Sequence, residues 1–139
     1  MNARLALAAK FDRWAENGPG NTDCSVARIF DHVGDRWSML LVSGLASGPH
    51  RFNELSRTIP GISRRRLTQT LRRLETEGLV HREVRPTMPP RVIYTLSDLG
   101  ESFAEPALKL IEWAEGSSAQ ITLARARALA LYGPAAANT

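Results

Sequence analysis

The sequence predicts a mainly α-helical chain with one small β-hairpin, an α+β arrangement, and three observations carry that expectation. Apolar residues recur at three- and four-residue spacing through successive segments of the 139-residue chain. Clusters of glycine and proline separate those segments and would end one helix before the next begins. Val92, Tyr94 and Leu96 alternate in one stretch, Arg91 to Leu96, which follows a second short strand-like run and a proline-rich spacer. The length fits one compact domain with peripheral helices, and 43% apolar with 23% charged residues is the balance of an ordinary folded protein.

Taken in order, residues 2–16 place Leu7, Phe11 and Trp14 on one helical stripe before Asn17-Gly18-Pro19-Gly20 stops it. Helices are expected from Val26 to Val33, ended by Gly34, and from Asp35 to Ala46, with Trp37, Leu40, Leu41 and Leu45 as core. Arg51 to Ile59 reads as a short helix with Phe52, Leu55 and Ile59 on one side. Pro60-Gly61 breaks it, and Ser63 caps the next. The chain therefore contains a helix, a tight turn and another helix.

The helix from Arg64 to Thr76 carries its apolar residues, Leu67, Leu71 and Leu74, in one narrow stripe. At 100° per residue, Arg65, Thr68, Gln69 and Arg72 lie opposite the leucines, with Arg66 and Arg73 on the flanks. Gly78 ends it. Val80 to Arg85 and Arg91 to Leu96 then read as paired strands around Pro86-Thr87-Met88-Pro89-Pro90, although Arg82 interrupts the face shared by Val80 and Val84. Ser97-Asp98 starts a helix over 98–115 with Phe103, Ala107, Leu110 and Ile111 near one face. A last helix, Gln120 to Tyr132, ends at Gly133-Pro134.

The net charge of +4 is unevenly spread. Between His50 and Arg91 ten arginines face four glutamates, a local +6, and the remaining eight basic and ten acidic residues leave the rest at −2. Such a concentration forms a face that a polyanion would find at long range, and arginine's planar fork suits phosphate and guanine. A solvated surface that happens to use arginine is the alternative. Leu5 to Ala9 is too short for a secretory or membrane segment, so a cytoplasmic location is expected. A single cysteine, Cys24, excludes an internal disulfide. His32, His50 and His81 are scattered without ligand spacing, so no metal, cofactor or catalytic set is expected.

A chain of motifs runs between Cys24 and Trp113. These are Cys24-x-Val26-Ala27, Gly34-Asp35-Arg36-Trp37, Arg51-Phe52-Asn53-Glu54-Leu55 and Pro60-Gly61-Ile62-Ser63 with Leu67, Leu71, Leu74 and Glu75. Gly78-Leu79-Val80, Pro89-Pro90-Arg91-Val92 and Tyr94-x-Leu96-Ser97-x-x-Gly100 complete it. Together they resemble the HxlR family of winged-helix, MarR-like transcriptional regulators, from whose usual pattern Ser25 and Ile93 depart.

The resemblance implies a winged helix-turn-helix over residues 21–98, between dimerisation elements at 1–20 and 99–139. The implied partners are pseudo-palindromic double-stranded DNA and a second copy of the chain, with no membrane and no cofactor, and with repression favoured over activation. Arg65, Gln69 and Arg72 are expected at bases, and Ser63, Arg51, Arg64 and Arg73 at phosphates. Arg66 and Thr68 share that face, and Arg85 and Arg91 sit on the wing. Leu7, Phe11, Trp14, Phe103, Leu110, Ile111 and Trp113 are the expected dimer interface. Cys24, with Arg28 one turn on, is a candidate sensor of an oxidant or small-molecule effector, but an inert buried thiol is the preferred reading. A winged-helix protein-interaction module without DNA binding is the competing class.

Overall fold

The computed structural model describes residues 2–16 and 25–137. Its elements are α1 (Ala3–Glu16), α2 (Ser25–Val33), α3 (Arg36–Leu45), β1 (His50–Arg51), α4 (Phe52–Thr58), α5 (Arg64–Thr76), β2 (Val80–Arg85), β3 (Arg91–Leu96), α6 (Asp98–Gly116) and α7 (Ser118–Tyr132). A short 3₁₀ turn follows at Pro134–Ala137. Cys24 lies outside the described residues, as does the side chain of Trp14.

Local chemistry sets the helix ends. Asp35 and Ser63 cap α3 and α5, their side chains accepting hydrogen bonds from the Trp37 and Arg66 amides at 3.1 and 3.0 Å. At the far end of α5, Gly78 adopts φ +79°, and the Gly78 and Leu79 amides donate to the Glu75 and Leu74 carbonyls. That paired closure needs the left-handed conformation that glycine takes most readily, and it turns the chain directly into β2.

The sheet is a correction to the expected two-stranded hairpin. It has three antiparallel strands in the order β1-β3-β2, because His50 and Arg51 pair with Tyr94 and Ile93. Between β2 and β3 the register runs from Val80 opposite Leu96 to Arg85 opposite Arg91.

The core lies where α3, α4 and α5 meet the sheet. Leu41, Val42, Leu45, Leu55, Ile59, Leu67, Leu71, Leu74, Leu79, Val80 and Tyr94 are buried there, with Trp37, Phe52 and Phe103 packed half-buried around them. Leu40, expected in this core, is 43% exposed, because α3 turns that side away from α5 and the sheet. Thr70 is buried on the leucine side of α5, its hydroxyl satisfied by the Arg66 carbonyl at 2.8 Å.

Ser97 joins the ends of two helices. Its hydroxyl accepts from the Gly100 amide at the start of α6 and donates to the Gly78 carbonyl just beyond α5. Beyond that joint α6 buries little besides Gly100 and Ala107, and α7 buries no residue. No helix among the described residues is long and apolar enough to cross a membrane.

Candidate nucleic-acid interface

The helix-turn-helix is α4, the turn 59–63 and α5. Gly61 takes φ +78° in that turn, and the Ser63 cap starts α5 immediately after it. Leu67, Thr70, Leu71 and Leu74 are each no more than 1% exposed, so the inner side of α5 is anchored over about two turns. The opposite side therefore projects as a rigid row.

The five arginines of α5 fall into two groups. Arg64 lies over the Phe52 ring at 5.0 Å and donates to the Asn53 side chain at 3.3 Å, so it leans back toward α4. Arg66 and Arg73 reach the Asp35 carboxylate at 4.0 and 3.3 Å. The side chains of Arg65 and Arg72, with that of Gln69 between them, are exposed and have no hydrogen-bond or ion-pair partner among the described residues. Three side chains thus point outward uncommitted. The Thr68 hydroxyl donates to the Arg64 carbonyl at 2.9 Å, and Ser63 is occupied in part by its capping bond.

Around the helix, Arg51 stands 3.9 Å from Glu54, and Arg85 stands 3.7 Å from Glu83 on the wing. Arg91 faces Arg85 across the hairpin, so two cations share the base of the exposed tip 86–90. These exposed pairs hold their guanidiniums weakly enough to exchange a carboxylate for a phosphate.

Two residues of this surface were missed in the sequence. Arg82 faces Tyr94 across the sheet and, with Arg72, lines a groove of about 760 Å³ between α5 and the strands. Its interruption of the Val80–Val84 face was the available signal. Asp35 is the other, and its 38-residue separation from Arg73 put the contact beyond any local pattern. Behind it sits His32, 3% exposed. Its imidazole is held below its ordinary value of 6.5, first by burial and then by the neighbouring Arg73 charge, opposed by Glu77, Asp31 and Asp35.

Two helices across a tight turn, backed by a third and flanked by a hairpin, define a winged helix-turn-helix. The chain belongs to the HxlR-like helix-turn-helix family, which matches residues 32–122. An HTH-type transcriptional regulator of Methanothermobacter thermautotrophicus is 44% identical over 90 residues, 65% of this chain and 69% of the relative. Among solved structures, the transcriptional regulator ytfH from Salmonella typhimurium superposes with a TM-score of 0.66 at 34% identity, covering 76% of this chain and 94% of that one. The redox regulator HypR in its reduced form also reaches 0.66, at 36% identity, with 71% and 98% covered. The protein is a transcriptional regulator and not an enzyme.

Proposed function

We propose that the chain binds double-stranded DNA sequence-specifically as a homodimer, with α5 in the major groove and the wing 80–96 on the backbone or in the minor groove. One observation carries this reading: Arg65, Gln69 and Arg72 stand outward without partners from a helix whose other side is locked into the core. Arginine and glutamine are side chains that form paired hydrogen bonds with guanine and adenine edges. An apolar or acidic outer face would have favoured a protein-interaction module; this one reads Arg-Arg-Arg-x-Thr-Gln-x-x-Arg-Arg.

In the same reading, residues 21–98 form the DNA-binding unit, and 1–20 with 99–139 join two copies. The exposed Leu7, Phe11, Leu110 and Trp113 support this, because large apolar side chains left open on terminal helices are suited to burial by a second chain. Phe103 and Ile111 are half-buried already and would form the inner edge of that interface. Repression follows where the operator overlaps a promoter, and the site of action is the cytoplasm.

Titration with duplexes selected from a random pool tests the assignment. Arg65→Ala and Arg72→Ala should each cost roughly 1–3 kcal/mol and relax preference at one position, while Arg85→Ala should weaken all sequences alike. Unchanged affinity in both α5 variants rules the assignment out. A second reading, thiol sensing through Cys24, is favoured by the similarity to the redox regulator HypR. Peroxide or a quinone should then shift DNA affinity, and Cys24→Ser should abolish the shift.

A further inference from the structure

We infer that Asp35 determines the specificity of α5, by fixing the helix about its own axis and by withholding two of its arginines from indiscriminate phosphate contact. The inference rests on the DNA-binding reading above. Asp35 is a positioning residue, and the geometry shows how it works.

The Asp35 side chain is only 13% exposed, and three donors hydrogen-bond its carboxylate while the Arg66 guanidinium stands at ion-pair distance. The Trp37 amide and the Ser38 hydroxyl approach at 3.1 and 3.2 Å from α3, and Arg73 and Arg66 at 3.3 and 4.0 Å from α5. Ser38 is wholly buried, and because its proton goes to Asp35, its oxygen accepts from Nδ1–H of the buried His32 at 3.4 Å. The carboxylate is therefore tied to the protein interior and cannot follow the arginines outward.

Arg66 and Arg73 are seven residues apart, which places them on the same flank of α5 two turns from each other. Holding both at one carboxylate resists rotation of the helix, and so sets the direction in which Arg65, Gln69 and Arg72 point. It also offsets positive charge beside the reading face. Charge of that kind would add affinity for any duplex and so dilute discrimination between sequences.

Asp35→Asn separates these effects from simple loss of folding, because asparagine caps a helix as well as aspartate does: its Oδ1 still accepts from the Trp37 amide, and the NH2 that replaces Oδ2 can donate to the Ser38 hydroxyl but offers Arg73 no acceptor. The variant should bind a random-sequence duplex more tightly. The slope of log K against log salt should steepen by roughly 0.9 for each freed arginine. Affinity for a selected site should rise less, so the ratio of specific to non-specific binding should fall about tenfold. Adding Arg66→Ala and Arg73→Ala to Asp35→Asn should return the slope to that of the parent. An unchanged slope and ratio overturns the inference, and so does a parallel loss on both duplexes, which is what a loosened fold would give. A parent chain that binds no duplex overturns the DNA reading and, with it, the specificity role. In that event guanidinium proton exchange at Arg66 and Arg73, slow in the parent and fast in Asp35→Asn, still decides whether Asp35 holds them.

Discussion

α5 and α7 are helices of 13 and 15 residues, and α7 has the more large apolar side chains, yet their fates are opposite. The three leucines of α5 are completely buried, whereas Ile121, Leu123, Leu129, Leu131 and Tyr132 of α7 all remain open. Phase separates them. The α5 leucines fall at intervals of four and three and make one stripe, but the α7 residues are spread around the cylinder, so no single neighbour could cover them. What decides whether a helix joins a core is the alignment of its apolar positions, and their number matters less.

The comparison breaks first at Leu71. Leu71→Ala should lower stability by roughly 2–5 kcal/mol, read from urea unfolding, since it opens a cavity in a site that is 1% exposed. Gly100→Ala should destabilise from the other end of the α5 joint, because a β-carbon there would overlap the Leu79 carbonyl oxygen. Ser63→Ala, which removes the cap, should cost about 1 kcal/mol.

His32 sharpens the contrast by pH. Its folded-state affinity for a proton is depressed, so the unfolded chain binds a proton that the folded chain refuses. The resulting stability is complete above the ordinary value of 6.5 and is lost as pH falls below it toward the folded value. Unfolding midpoints measured on both sides of that value should show the drop, and His32→Gln should flatten it. α7 contains no histidine and no acid, so its helicity should not respond in that window. The smallest effect is expected at Leu131→Ala, within about 0.5 kcal/mol for the isolated chain. A larger loss that depends on protein concentration would show that a second copy covers α7.

Much of this was legible in the sequence because it is local. The limits of α5, β2 and β3 follow from a cap, a glycine and a change of period from 3.6 to 2, and the structure places them at the expected residues. Arg65, Gln69 and Arg72 were assigned to the outward side by counting alone. Strand β1 escaped notice because two residues carry no period. The burial of Thr70 was hidden by its polarity, which its own helix satisfies. The engagement of Arg66 and Arg73 by Asp35 was out of reach, since helix periodicity does not say what another helix will bring alongside. Arg64, set on the Phe52 ring and Asn53, shows the same limit at shorter range.

The brief strand β1 has a mechanical consequence. Its second residue immediately precedes α4, and both of its residues are laced to β3, so the hairpin is fastened at its base to the segment that leads into the helix-turn-helix. The hairpin and the helix-turn-helix are consequently joined as a caliper rather than as two jointed fingers. For a duplex held as proposed, between α5 and the wing, an unsuitable width would mean deformation on entry, and DNA that narrows or bends cheaply at that point would gain preference without any base being touched.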